Sequence, residues 1–301
     1  MTVGARPRVR VRLRRQRGIA LIVVLWVVFL LAIISQSFTV EVRTGLQLTH
    51  NLVQSGKARA MADGAIYRAI DTLIRRRNDR TYAADGQPAT MSVPDGTVEV
   101  AIQDEAGKID LNLAPRALLE GLFRSVSLEE DAAEALVDSI ADWTDPDDRR
   151  RKRGAENADY QQAGLAWGPK NGRFDSVDEF GLVLGITRDI FDAVAPALTV
   201  YSGKRGIDVA VAPPLALRAL SADDPSRAES LLAARGEDDP ARLNAAFNDL
   251  GPSKRFVSKS ARTTFSIRAT ARPEGGGVFV REAIVRVGRG TPLPYTILDW
   301  R

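Results

Sequence analysis

One stretch constrains this chain more than any other: residues 6–40, where an arginine-rich leader meets Gly18 and then an uncharged apolar run from Ile19 to Val40. At about 1.5 Å per residue a helix over that run is about 33 Å long, enough to cross a hydrocarbon layer of about 30 Å. Arg6, Arg8, Arg10, Arg12, Arg14, Arg15 and Arg17 precede it without one acidic residue. Cationic flanks stay on the cytoplasmic side, so the expectation is a single-pass protein with a cytoplasmic N-terminus and most of its mass outside the cytoplasm.

Three kinds of segment share these features. A secretory signal peptide carries small residues at a cleavage site behind its apolar core, and Ala32 to Ser37 supplies only poor candidates. A plain uncleaved anchor is the second. The third follows from the glycine, which stands before the apolar run: basic leader, Gly18, then an unbroken apolar helix resembles a type IV prepilin-like signal. Such a signal is cut on the cytoplasmic side, here between Gly18 and Ile19, and leaves the whole helix in the mature protein.

Composition removes several kinds of chemistry. Without a cysteine there are no thiol nucleophiles, disulfides or zinc–thiolate sites. The only histidine, His50, lies ten residues beyond the apolar run, where a Ser-His-Asp triad has no pocket to occupy. No nucleophile, base and orienting group stand together at mechanistic spacing, so an enzyme is not expected. The formal charge of +4 is a property of the leader: of 42 Lys and Arg it holds seven, which leaves 35 against 38 Asp and Glu. A duplex-binding protein needs uncompensated cations to displace counterions, and the basic run Arg149–Arg153 is preceded by four carboxylates.

Beyond the membrane run the helical pattern continues. Ala62, Ile66, Ala69/Ile70 and Leu73/Ile74 form an apolar stripe that ends near Arg75–Asn78. Tyr82 to Gly96 reads as a loop, Thr97 to Ile102 as a strand, and Thr264–Ala269 with Val278–Val287 as a hairpin closed by Pro273–Gly277. About 150 residues of helical spacing separate the strand from the hairpin. The expected fold is α+β: a long N-terminal helix packed on a small antiparallel sheet, with a large all-helical insert of two subdomains. The boundaries are 1–18 leader, 19–40 membrane helix, 41–78 its amphipathic continuation, 79–110 loop and first strand, 111–205 and 206–254 the two subdomains, and 255–301 hairpin and tail. The two subdomains follow from a weak repeat, in which Ile109–Pro115 (IDLNLAP) returns as Ile207–Pro213 (IDVAVAP), each before a Leu/Ala-rich helix. Asn112 is positioned to cap the first of those helices. Phe174, Phe180, Leu182 and Leu184 are the expected core of the segment around Phe174–Thr187.

The order of these motifs carries a resemblance. Gly18-Ile19, Asp104–Asn112 (DEAGKIDLN), Asp142–Asp148 (DWTDPDD), Gly154–Glu156, Phe174–Phe180 (FDSVDEF), Gly185–Thr187 and Thr199–Gly203 (TVYSG) together resemble the K-type minor pseudopilins of the bacterial type II secretion system. The resemblance implies an inner-membrane subunit that caps the pseudopilus tip and helps start its assembly, for export of folded proteins across the outer membrane. It implies cleavage at Gly18, N-methylation of Ile19, and partnership with the I-, J- and H-type minor pseudopilins, the prepilin peptidase and the inner-membrane assembly platform. The exported protein and the outer-membrane secretin are further candidate partners; nucleic acid is not one. Most pilin-like subunits carry Glu at the fifth mature position, where this chain has Val23. An unpaired buried carboxylate is costly, and a tip subunit with no neighbour above it has no amine to neutralise. The alternative reading is a membrane-anchored helix-hairpin-helix DNA-binding protein, against which Gly185-Ile186-Thr187 lacks the second glycine of a phosphate-binding hairpin.

Asp142, Asp145, Asp147 and Asp148 crowd within seven residues, and Glu156 follows after the basic loop. They form either a charge-balanced Asp-Pro turn or a Ca²⁺ site, since Ca²⁺ takes six to eight oxygens. An EF-hand is excluded because Arg149 and Arg150 stand where that loop needs an oxygen ligand and a glycine. The resemblance adds weight to calcium, with Asp145, Asp147 and Glu156 ahead of Asp148 and Asp142.

Overall fold

The computed structural model describes residues 19–75, 84–236, 240–288 and 293–301, with the backbone alone over 37–44. The leader with Gly18, and the helix end foreseen at residues 76–78, lie outside the described residues. The chain divides into two compact units, residues 1–56 and 57–301.

The helix α1 (Ile19–Arg75) is described from Ile19 onward and runs from the first unit into the second. Its apolar window, Ile19–Gln36, is exposed throughout. An apolar surface of that length without protein cover is what a lipid-facing anchor presents.

In the second unit, helix α1 turns a face of small and aliphatic residues inward: Ala58, Ala62, Ala65, Ile66, Ala69, Ile70 and Leu73 are buried. The alanines let a sheet approach closely. That sheet has five antiparallel strands, β1 (Asp85–Val93), β2 (Gly96–Asp104), and, after the insert, β5 (Thr264–Pro273), β6 (Phe279–Val287) and β7 (Tyr295–Trp300), in the order β1-β2-β5-β6-β7. Alternate residues of β5 (Phe265, Ile267, Ala269, Ala271) and β6 (Ala283, Val285, Val287) face helix α1 and are buried. Arg281 joins them, bonded to Asp63 at 2.7 Å and stacked over Phe279 and Trp300.

Two of these strands depart from the sequence reading. β1 occupies what reads as a loop, and β7 is formed by the tail. β1 is an edge strand that tolerates Pro88 at an irregularity in its register, so no buried face imposes an alternating pattern on its sequence. Val93 pairs with Gly96 across Pro94-Asp95, with Asp95 at φ 70°.

The insert holds β3 (Ile109–Asp110) and β4 (Leu198–Thr199), a short parallel pair, and the helices α2 (Arg116–Ser125), α3 (Glu130–Thr144), α4 (Asn157–Gln162), α5 (Arg188–Val194), α6 (Pro214–Leu220), α7 (Pro225–Gly236) and α8 (Pro240–Asp249). It has its own core, separate from that under the sheet, with Phe123, Leu118, Leu122, Tyr160, Phe180 and Leu217 fully buried. Trp143 stacks on Phe174 at 5.9 Å. Leu182 is not in this core: it is 43% exposed, and its carbonyl accepts the Trp167 indole N–H at 3.1 Å.

The repeat in sequence is a repeat in space. Asp110 Oδ1 accepts from Asn112 N and Asp208 Oδ1 from Ala210 N, each at 3.0 Å. Ile109 pairs in parallel with Leu198, and Ile207 with Val257. Each turn leads through a proline, Pro115 or Pro213, into α2 or α6. The two helices pack closely through Gly121, where a Cβ would lie 2.2 Å from the Ala219 carbonyl oxygen. Asn112 does not cap α2. Its amide instead pairs with both main-chain groups of Phe174, at 3.0 and 2.8 Å.

The segment Asp104–Asn112 joins sheet to insert. Asp104 accepts from Ala106 N at 3.0 Å and Ser260 Oγ at 2.6 Å. Buried Glu105 pairs with Lys108 at 2.7 Å and accepts the Thr199 hydroxyl. At Gly107 a Cβ would meet the Val211 carbonyl oxygen at 2.5 Å. Asp104, Glu105, Gly107 and Lys108 of this motif are spent on the junction, a structural reason for its composition.

Candidate functional site

The acidic residues singled out in the sequence come together at the end of α3. Asp138 and Asp142 lie one helical turn apart and Asp145 ends the helix. The following loop folds back over them: Arg153 N donates to Asp138 Oδ2 at 3.1 Å, and Arg151 N to Asp142 Oδ2 at 3.1 Å. Gly154 permits this return, because a Cβ there would stand 1.9 Å from Asp142 Oδ2. The loop delivers Glu156 to the start of α4, where its N–H donates to Asp159 Oδ2 at 2.9 Å.

Charge in this cluster is not evenly satisfied. The Arg151 guanidinium donates to Asp142 at 2.6 Å and also to Asp145. Asp138 is pulled upward by burial, but Arg116 and the Arg153 amide outweigh this and hold it below the usual carboxylate range. Glu156 has no such help: it is 6% exposed, and neither of its carboxylate oxygens has a hydrogen-bond partner. Burial, then Asp142, Asp145, Asp148 and Asp147, push its pKa up to about 7. Asp145 Oδ1 is likewise buried without a partner.

The five carboxylates therefore share one neighbourhood, though not as ranked in the sequence. Asp142 is fully buried, whereas Asp147 and Asp148 are exposed and Asp147 Oδ1 accepts from Arg149 N at 2.9 Å. Among the described residues no three carboxylate or imidazole groups form a ready-made metal cluster. The donor chemistry nevertheless fits Ca²⁺: hard oxygens, three of them buried without partners beside Asp142. Gly154 belongs to this site and carried no signal of that role in the sequence, whereas Arg151 comes from the basic run expected to balance the Asp-Pro turn.

The remaining foreseen positions lie on α1 or ahead of it. Ile19 is its first described residue, and Val23 is exposed on its apolar surface. At Gly185 the backbone is left-handed, φ 93°, but Ile186 N is bonded to the Val183 carbonyl and Thr187 Oγ1 caps α5 through Ile190 N at 3.2 Å. The helix-hairpin-helix alternative gains nothing from this turn, whose Ile186 amide and Thr187 hydroxyl are spent within the protein.

Residues 101–203 match the family described as "Type II secretion system (T2SS), protein K". The type II secretion system protein K of Pseudomonas aeruginosa is 26% identical over 248 residues, which cover 75% of this chain and 74% of that protein. Residues 101–203 thus carry a type II secretion system protein K domain, and the likeness to such proteins extends over three quarters of this chain. A putative protein K of Escherichia coli K12 and the protein K of Aeromonas hydrophila are each 26% identical, over 62% and 61% of this chain. In those two the match spans a little under two thirds of the relative's own length, 62% and 63%. The fold corresponds to that of a chain in the crystal structure of the GspK-GspI-GspJ complex from enterotoxigenic E. coli, with a TM-score of 0.63, 15% identity, and coverage of 84% of this chain and 98% of that one. The order of motifs from Asp104 to Gly203 falls wholly inside the matched segment.

Proposed function

We propose that this protein is the K-type minor pseudopilin of a type II secretion system, a structural subunit at the pseudopilus tip that helps to start assembly in the inner membrane. One combination carries the reading: an exposed apolar helix without a carboxylate at Val23, continuous with a pilin-like sheet that bears a helical insert of about 150 residues. A body of that size suits the end of a narrow fibre better than its shaft. Because the related complex contains GspI and GspJ, I- and J-type subunits are the first partners to test, followed by the H-type subunit, the assembly platform, and the secretin or exported protein. Full-length chain extracted from membranes should co-purify with I- and J-type subunits in equimolar amounts. Incorporation at equal density along a whole fibre would overturn the tip role.

Two further steps belong to this reading. The prepilin peptidase cuts between Gly18 and Ile19 and the new amine of Ile19 is methylated, leaving the bulk of the chain periplasmic. A side chain at residue 18 obstructs approach to the backbone, so Gly18→Val should leave the leader attached on intact-mass analysis. Ca²⁺ held by Asp142, Asp145 and Glu156, with Asp147 and Asp148 at the rim, satisfies the carboxylate oxygens that lack partners. It neutralises charge that Arg151 alone leaves in excess.

A further inference from the structure

We propose that the segments on either side of the Ile207–Val257 bridge carry a docking surface for the acidic face of a protein partner, built from Lys204, Arg205, Lys254, Arg255 and Lys259. Two segments fifty residues apart make it, joined where Ile207 bridges Val257 in parallel. Ile207 N donates to the Phe256 carbonyl at 2.9 Å and Ser258 N to the Ile207 carbonyl at 2.8 Å. Gly206 allows the approach, since a Cβ there would lie 2.1 Å from the Phe256 oxygen. Lys204-Arg205 and Lys254-Arg255 therefore precede the bridge on adjacent chains, with Lys259 just beyond it.

Like charges this close repel, and the surrounding protein does little to relieve them. Among the described residues none of the five forms an ion pair with a carboxylate; Lys254 instead reaches Asn248 at 3.3 Å, and Arg255 lies over Phe256 at 4.6 Å. The nearest acidic side chain on these segments, Asp208, is taken up by Ser260 N at 2.6 Å and Ala210 N at 3.0 Å. From Gly251 to Pro273 the sequence has no acidic residue, although residues 19–301 hold 35 basic against 38 acidic residues. The patch is thus a concentrated exception to the sign of the mature chain, the condition under which opposite charge steers association.

Two observations favour protein carboxylates over phosphate. The main-chain N–H groups of Lys204, Val257, Ser258 and Ser260 are bonded within the protein, which leaves side-chain cations as the main contacts this surface offers. The patch also adjoins the Asp104 end of β2, through the Ser260–Asp104 bond, whereas Lys57 lies at the opposite end, paired with Asp95 at 3.6 Å. At about 3.3 Å per residue the nine residues of β2 separate these ends by roughly 30 Å. The inference holds whether or not the chain caps a fibre.

The test uses full-length protein in neutral detergent and fluorescent poly-L-glutamate at low and moderate salt. We expect binding that weakens with salt and falls about tenfold or more in R205E/R255E, with the equal charge change R272E/R286E on the exposed sheet positions having little effect. Equal losses in both variants, or no binding by the wild type, would overturn the proposal. So would a preference of more than about tenfold for inorganic polyphosphate at equal charge. Replacing Glu237, Asp238 and Asp239 by their amides is the last arm: unchanged affinity supports an external partner, and a gain comparable to the R205E/R255E loss would make the chain's own carboxylates the occupant.

Discussion

The two copies of the Asp-turn-proline-helix unit share a scaffold and differ in what they hold. In the first, Asp110 is buried and accepts three bonds, from Asn112 N, Ser202 Oγ and Gly203 N. Asn112 then fastens the Phe174 segment, which stacks on Trp143 beside the acidic loop. In the second, Asp208 is half-buried and accepts two bonds, and Ala210 stands exposed where Asn112 would be. The first copy thereby anchors an acidic loop with unmatched carboxylates, while the second is bordered by unmatched cations. A scaffold kept in common has been given surfaces of opposite sign, and the lesson is that a degenerate repeat marks a change of use rather than a loss of structure.

The sharpest way to break this comparison is to remove the two anchors separately. Each buried donor left unsatisfied costs about 1–3 kcal/mol. Asp110→Ala should therefore lower unfolding stability by about 3 kcal/mol or more, and Asp208→Ala by about 1–2 kcal/mol, in urea titrations of the detergent-solubilised chain. Equal effects would mean that the copies carry equal weight. Next in size is Gly121→Ala, which drives a methyl into the Ala219 carbonyl where the two copies meet. Overpacking of this kind costs about 1–3 kcal/mol, and a loss confined to one copy by hydrogen exchange would show that they do not support each other.

The last effect, spread over a pH interval, concerns Glu156. Its folded-state pKa of about 7 lies above the ordinary 4.5, so the folded protein disfavours the charged form. In chelator, stability should fall as pH rises from about 4.5 through 7 and then level off. Calcium should restore it above pH 7, through binding that favours the folded state. Glu156→Gln should raise the melting temperature in chelator at pH 8 and abolish the response to calcium. A wild-type melting temperature indifferent to calcium at pH 8 would remove the metal from the account.

Local regularity decided what could be seen in the sequence. The apolar stripe of α1, the β5–β6 hairpin and the repeated turns are patterns written within a few residues, and each stands where its pattern places it. β1 and β7 escaped because edge strands need no alternating face. Asn112 and Leu182 were misjudged because their partners, Phe174 and Trp167, are brought close only by tertiary folding. The acidic cluster was visible as composition, but the burial of Asp142 and the return of Arg151 over it depend on how the loop closes. The basic patch was invisible for the same reason: Arg205 and Arg255 become neighbours only through the bridge between Ile207 and Val257.

The central claim is that this chain is a processed, membrane-anchored pseudopilin, and the intact mass of the protein extracted from membranes tests it most directly. The account predicts a mature chain that begins at Ile19 with one added methyl group and retains the whole apolar helix. A mass beginning at Met1, or one showing cleavage behind the apolar run near Ser37, would contradict it.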